Sequence, residues 1–444
     1  MKHVIEKKKE RDKAVIEALV RSHGPVSRAE IRQLTQLRWS SVSPIVRELL
    51  NQGKLVEVGP STNPMGRKQT LLRLNEENGY IVAVEFDPET VSAAVTDLFP
   101  RIRSKVTETT RVDEDANGLI HQLFLCAHEA IRQAGIPRDK LLGIGVADPG
   151  LVDVRQGVSV LSAHIGFWKN VHLKKLFEAE FGVPVILDSS TRAQALAERV
   201  RGAGEGAGEM IYIEYGRGIG AGIIIEGKCL LGNNSFAGEF GHIPMIENGP
   251  ACSCGSFGCL EAIVGLSAME ARCRKAIQEG SNTRALEIAH ADPTRITGWI
   301  VLQAAKLGDK TCLAIVGELE KYLGLGISTL VNLFNPSIII LDHRLGLAGD
   351  SLLDQIAQRV KRQALGSSTA NLKFRYGTLG RDAGLLGAAL NILERIFEIP
   401  ALKPPRFMIE SSVIDSLAGY RRALTENENS QEIISDPLAL TPSR

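Results

Sequence analysis

Between His242 and Cys259 the chain sets one imidazole and three thiols in the spacing H-x9-C-x-C-x4-C, and no other stretch restricts the local fold as much. A disulfide framework needs paired cysteines in a small chain, whereas this one has 7 in 444 residues. A redox couple needs C-x-x-C, and the first spacing is C-x-C. A thiol nucleophile needs a base, and His242 is better used as a ligand. One His and three Cys match a closed four-coordinate zinc site in number and softness. His242, Cys252, Cys254 and Cys259 are therefore predicted to hold a structural Zn2+. Gly255 and Gly258 let the backbone curl back so that the thiolates converge.

Charge is unevenly spread. Residues 1–75 carry fifteen Lys and Arg against seven Asp and Glu, a net of +8 in a chain whose overall net is +1. A basic head on an acidic body predicts a nucleic-acid surface at the N-terminal end. The first thirty residues lack the apolar core of a signal peptide. No apolar run reaches the ~18 to 20 residues of a membrane span, so a cytoplasmic protein with no membrane partner is expected. A length of 444 residues, 44% apolar and 23% charged, has room for two or three cored domains.

The head reads as helices and a hairpin. Val15, Ile16, Leu19 and Val20 make an apolar stripe over Arg11–His23 that stops at Gly24-Pro25. Ser27 with Glu30 has capping-box spacing and opens a short helix through Leu34, followed by a tight turn. A third helix is predicted from Ser40 or Ser41 to about Asn51, with Val42, Ile45, Val46, Leu49 and Leu50 as its buried stripe. Its outer face carries Ser40, Ser41, Ser43, Pro44, Arg47 and Asn51, with Arg38 just ahead, and suits a major groove. Pro44 is expected near the limit of the first turn, where a missing N–H is tolerated. "LVEV" and "LLRL" flank a Gly/Pro-rich loop bearing Arg67 and Lys68, a β-wing with a basic tip. The whole is a winged helix-turn-helix contacting double-stranded DNA.

Past Asn75 strands alternate with helices. "YIVAVEFD", "VSAAVTDL" and "LLGIGVADPGLVD" read as strands around the helix "ANGLIHQLFLCAHEAIRQAG". A second set follows from "VPVILD", with a helix over Thr191–Val200 and the glycine-rich "MIYIEYGRGIGAGIIIEG". "STLVNLFNPSIIILDH" then gives a helix and a buried strand, and "GRDAGLLGAALNILERIF" a last helix. An α/β pattern is presented twice.

"GIGAGIIIEGKCLLGNNSFAGEFGHIPM" followed by "CSCGSFGCLEA" resembles the signature of the ROK family of repressors, open reading frames and sugar kinases. The likeness runs from about residue 10 to residue 396. "GPVSRAEIRQLTQLRWSSVSPIVRELLNQGKLVEVG" is similar to the helix-turn-helix of its repressor branch, which includes the N-acetylglucosamine and xylose repressors. The resemblance implies a two-lobed, actin-like ATPase fold of the ribonuclease H-like, sugar-kinase type behind a winged helix-turn-helix. It places a DNA-binding domain at 1–75, a first α/β lobe at 78–190 plus 380–396, and a second lobe with the zinc motif at 191–379. A partly disordered tail at 397–444 is expected.

Position by position, the resemblance also implies what is lost. The kinases' Asn-Asp-x-Asn run falls on Ser189, Ser190 and Arg192, so Ser190 stands where the catalytic aspartate would be. Asp188 would serve only through a register shift. The first phosphate loop falls on Glu85 to Glu89, where Pro88 lacks an N–H and Asp87 and Glu89 repel phosphate. The Gly-Gly beside adenine is Asp342-His343. The second loop, "GRGIGAG", is kept. On the sugar side, Glu239, His242 and Glu261 match positions that contact sugar hydroxyls, and His164 replaces an Asn ahead of Trp168. With Ser189 and Ser190 these form the expected effector site. The implied protein is not an enzyme. It is a DNA-binding regulator, a repressor of carbohydrate-related genes, that senses a sugar or sugar derivative and acts on an operator as a homodimer or homotetramer. The alternatives are a bifunctional sugar kinase with a DNA-binding head, or a regulator controlled by a protein partner.

Overall fold

The computed structural model describes residues 2–60, 69–111 and 115–398, with side chains from Glu6 onward. Arg67, Lys68 and the tail from Pro400 lie outside the described residues. The chain divides into two compact units, Met1–Asn75 with the chain from Phe397 on, and Glu76–Ile396.

In the first unit, α1 (Lys2–His23), β1 (Val26–Ser27), α2 (Arg28–Thr35), α3 (Trp39–Asn51), β2 (Leu55–Pro60) and β3 (Thr70–Leu74) form a winged helix-turn-helix. Val15, Ile16, Leu19, Val20, Val42, Ile45, Val46 and Leu49 of the expected stripes are buried and Ile31 of α2 joins them, whereas Leu50, at the edge of the α3 stripe, is only half-buried. The capping box closes as the sequence predicts. Ser27 Oγ accepts from the Glu30 N–H at 3.2 Å, and the Ser27 N–H donates to Glu30 Oε2 at 2.7 Å. Gln36, in the left-handed region at φ 57, stops α2.

Three further details differ from the sequence reading. Helix α1 begins at Lys2 rather than Arg11, because "KKKER" is made of good helix formers. Strand β1 joins the wing sheet in the order β1-β3-β2, a pairing too short to leave a periodic signal. Helix α3 starts at Trp39, so Pro44 is its sixth residue and lies beyond the first turn. The ladder there loses the bond that proline cannot donate, and the helix runs on.

The second unit holds two sheets built alike. In the first, β4 (Tyr80–Phe86), β5 (Thr90–Thr96) and β6 (Ile102–Thr109) form an antiparallel meander. After α4 (Ala116–Ala134), β7 (Leu141–Asp148) pairs parallel with β4. A small antiparallel sheet of β8 (Leu151–Asp153), β9 (Val158–Leu161) and β10 (Lys169–Val171) precedes α5 (Leu173–Phe181). Then β11 (Val185–Ser189) pairs parallel with β7, and α6 (Ser190–Arg201) follows. In the second sheet, β12 (Met210–Tyr215), β13 (Ile219–Ile225) and β14 (Lys228–Cys229) make the meander. Helices α7 (Leu260–Val264), α8 (Leu266–Gln278), α9 (Arg284–Ile288), α10 (Gly298–Lys306) and α11 (Lys310–Phe334) lead to β15 (Ile338–Leu341). After α12 (Asp350–Gln363) and α13 (Gly366–Thr369) comes β16 (Lys373–Tyr376). Strand β15 pairs parallel with β12 and with β16.

The sheet orders β11-β7-β4-β5-β6 and β14-β13-β12-β15-β16 are thus one topology used twice, the first strand of each set at the centre. Helix α14 (Ala383–Ile396) returns to β4 and β7 and lies along α6. It is buried on nearly every side, from Ala383 through Leu390, because sheet and helix close on both its faces. Helix α6 touches β12 and β13 as well, so one pair of helices joins the two lobes.

Candidate functional site: a metal-braced cleft and a basic helix face

The four metal-type residues converge. One ligand atom from each of His242, Cys252, Cys254 and Cys259 lies within 4.8 Å of all the others. A tetrahedral ion with bonds of about 2.3 Å to sulfur and about 2.0 to 2.1 Å to nitrogen requires edges of about 3.8 Å between sulfurs and about 3.6 Å from sulfur to nitrogen. Cys254 and Cys259 Sγ are 3.8 Å apart, and Cys252 Sγ is 3.6 Å from His242 Nδ1. The donor set therefore fits such an ion. Gly258, at φ +68, makes the turn that brings this about, and a Cβ there would fall 1.8 Å from the Ile246 carbonyl oxygen.

Behind this loop lies the expected effector site. With Nδ1 turned to the thiols, His242 presents Nε2 to Glu239 Oε2 at 3.9 Å. Glu261, the second residue of α7, is buried and joins three segments. Its carboxylate accepts from the Ile219 N–H of the glycine loop at 3.0 Å, from Ser253 of the cysteine loop at 3.5 Å, and faces His164 Nε2 at 3.6 Å. Burial opposes its ionisation, but the imidazoles of His164 and His242 and the Ile219 N–H outweigh it and hold the carboxyl below its usual range. Below His164, Trp168 donates to Ser159 Oγ at 2.9 Å and to Asp148 at 3.3 Å. Burial pushes Asp148 up to about 6, against hydrogen bonds from the Ser159 hydroxyl, the Gly150 N–H and the Trp168 indole.

Both serines of the expected site are already engaged. Ser189 Oγ caps α6 by accepting from the Arg192 N–H at 3.3 Å, and Ser190 Oγ donates to Glu214 at 3.2 Å. Asp188 does not offer a free base. It accepts from Arg192 Nε at 2.6 Å, the Ser189 N–H at 2.8 Å and Asn391 Nδ2 at 3.3 Å.

At the positions where the sequence analysis expects the kinases' phosphate loop, the structure brings carboxylates together. Asp87 Oδ1 takes the N–H groups of both Glu89 and Thr90, at 2.6 and 2.7 Å, so the loop satisfies itself. Glu89 reaches Arg217 of the glycine loop at 3.7 Å. Glu85 on β4 and Glu214 on β12 both receive Gln194 Nε2 of α6, at 3.4 and 2.9 Å, and Thr191 Oγ1 also donates to Glu214. Both carboxyls are half-buried. Burial, Glu214 and Asp87 push Glu85 up to about 8, and burial raises Glu214 despite Thr191 and Arg344. A Cβ on Gly384 of α14 would fall 1.8 Å from Glu85 Oε1, so only glycine leaves this carboxyl room. At the position expected to match the kinases' adenine border, Asp342 binds Arg344 Nη2 at 2.7 Å, and that guanidinium also donates to the Tyr215 carbonyl and lies 4.8 Å from the Trp299 ring centre.

On the head, Arg38, Ser40, Arg47 and Asn51 are exposed along α3, and Ser41 and Ser43 are half-buried beside them. Arg38 occupies the N-cap of the helix without a side-chain cap bond.

The ROK family model matches residues 82–395. This chain belongs to the ROK family. Over 375 residues it is 28% identical to the xylose repressor of Caldicellulosiruptor bescii, covering 84% of this chain and 93% of that one. Among solved structures it resembles a ROK family transcriptional regulator described as a homolog of the E. coli MLC protein. That match has a TM-score of 0.75 and 26% identity, and covers 88% of this chain and 96% of that one. It also resembles a ROK family glucokinase from Streptomyces griseus in complex with glucose and AMPPNP, with a TM-score of 0.64 and 28% identity. There 70% of this chain takes in 99% of that one. The ROK body is thus matched by both kinds of relative, and the regulator extends over more of the chain.

Reading the ROK sequence missed Glu85, Gln194 and Glu214 as one group, because the three come together only across lobes. A signal was present in "IYIEYG", where a charge interrupts a strand that is otherwise apolar and buried. Asp148 in "VADPG" carried the same signal.

Proposed function

We propose that this ROK chain is a DNA-binding transcriptional repressor of carbohydrate-related genes that senses a sugar or sugar derivative and does not phosphorylate it. The observation that carries this reading is the state of the phosphoryl-transfer centre. Ser190 stands at the base position with its hydroxyl given to Glu214, and Glu85, Asp87 and Glu214 occupy the ground where a triphosphate would need donors. The name of the C. bescii relative and the basic head support the same conclusion. His164, Glu239, His242 and Glu261 would receive the sugar hydroxyls, since carboxylates and imidazoles accept and share such hydrogen bonds. Zn2+ on His242, Cys252, Cys254 and Cys259 would be structural, with no open position for a catalytic water.

Loss of the catalytic carboxylate alone removes ~10² to 10⁴ in rate from general-base catalysis. A coupled assay of the full-length protein with ATP and a panel of hexoses and pentoses is therefore expected to show no turnover. Phosphorylation at an ordinary kinase rate would favour the bifunctional enzyme instead.

The regulator acts from the cytoplasm as a homodimer or homotetramer, two copies of α3 meeting two half-sites of an operator. Sugar must bind one lobe arrangement more tightly than the other to change DNA affinity. Arg47→Ala is expected to weaken binding to duplex DNA recovered by the protein from a random-sequence pool, and to lower the slope of log K against log salt by about one. An unchanged affinity and slope would show that α3 is not the reading helix.

A further inference from the structure

Folding alone gives no reason for the position of Trp39. Among the described residues of the head, Trp39 and Val58 are the large apolar side chains left exposed, Trp39 at 45%. Its indole adds little to the head's core, and an exposed tryptophan on a small domain is a cost in solubility unless something covers it. The ring is held. The Arg32 guanidinium of α2 stands over it, 5.7 Å from the ring centre, and both residues line one concavity with Gln33, Gln36 and Arg38.

The charges around it are sorted. Lys9 and Lys13 pair with Glu48, Lys54 with Glu17, and Arg28 with Glu57. Arg32, Arg38 and Arg47 make no ion pair with any described residue. Arg32 and Arg38 thus lie unneutralised beside the exposed indole, with Arg47 about two turns further along α3, which favours a polyanion as the occupant over an apolar protein surface.

We infer that Trp39, braced by Arg32, reads a thymine, its indole packing on the C5 methyl group in the major groove. Trp39 is the first residue of α3, and the N-terminal residues of a recognition helix are the ones that reach base edges. Of the four bases only thymine offers an apolar group there. This rests on the DNA-binding reading above.

The test uses full-length protein and duplex DNA selected by it from a random-sequence pool, with each thymine of the selected site replaced in turn by deoxyuridine, which lacks only the methyl. One deoxyuridine is expected to weaken wild-type binding about 10-fold, and Trp39→Ala to weaken binding to the all-thymine site by a similar factor. Combining the two should cost no more than either alone, and the salt slope should stay at the wild-type value. Trp39→Phe should restore most of the affinity. Because Trp39 is exposed, an unchanged far-ultraviolet circular dichroism spectrum will show that the variant is folded. Wild-type affinity in Trp39→Ala overturns the inference and leaves the DNA-binding reading standing. So does a loss that adds in full to every deoxyuridine effect, which would place the indole on a deoxyribose instead. If the wild type enriches no sequence, the DNA-binding reading falls and takes the inference with it.

Discussion

Cys259→Ser in the full-length protein is expected to leave the proposed zinc site empty, to lower the thermal midpoint of the second lobe by many degrees and to abolish the stabilisation by sugar proposed above. Cys259 is fully buried and is the N-cap of α7, the helix that carries Glu261. Its removal strikes the proposed metal site and Glu261, the carboxylate proposed to receive sugar hydroxyls, together. Zinc contributes apparent folding free energies of ~10 to 16 kcal/mol in zinc-finger peptides, where no other core exists. Here the second lobe keeps its own core around Ile211, Ile213, Leu323 and Ile339, so the lobe should loosen around the cysteine loop before it unfolds. The two measurements are zinc content by elemental analysis and thermal unfolding with and without a sugar found to stabilise the wild type. Cys254→Ser, at an exposed ligand, should lose zinc with a smaller fall in midpoint. DNA binding by the head should survive in both. Wild-type protein purified without zinc would end this account of the cluster.

How much of this could be read in advance depended on how far apart the interacting residues lie along the chain. The capping box of Ser27 and Glu30 spans three residues and formed as read. The cluster from His242 to Cys259 is likewise local, and its spacing carries its own geometry. Helix stripes were legible because burial repeats within a few residues. The start of α3 was not, because Arg38-Trp39 carries no capping side chain, and that shift of one or two residues moved Pro44 out of the first turn.

The centre of the cleft was legible only as losses. That Ser190 stands for a catalytic aspartate is what the resemblance implies, but the partner of its hydroxyl, Glu214, lies away from α6 on β12. Glu85, Gln194 and Glu214 come from β4, α6 and β12, and no local pattern links them. The doubled topology explains why they meet. The central first strand of each sheet ends at the cleft, and α6 passes between the two.

Glu85→Gln is expected to stabilise the protein at pH 9 and to change little at pH 4. In the fold Glu85 is pushed up to about 8, first by burial and then by Glu214 and Asp87, while Arg344 and Gln194 pull the other way. In the unfolded chain the same carboxyl titrates near ~4.3. The native state therefore holds a proton that the unfolded state has released throughout the interval between those values. Stability from this group is complete below the unfolded value and is lost as pH rises through about 8. Glutamine keeps the shape and neutrality of the protonated acid and still accepts from Gln194, so its stability should lack this fall. Water reaches part of both carboxyls, which trims the effect, and the expected difference at pH 9 is about 2 kcal/mol. Glu214, raised first by burial, contributes its own slope, so the comparison must be with wild type across the whole pH range. Denaturant unfolding at pH 5, 7 and 9 measures it directly, and wild-type and Glu85→Gln curves that run parallel from pH 5 to pH 9 would refute it. The same protonation explains how two carboxyls share Gln194 at neutral pH without forcing the lobes apart. Glu85, pushed up to about 8, stays largely uncharged there, while under the reading proposed above the acidic neighbours that remain would repel a triphosphate.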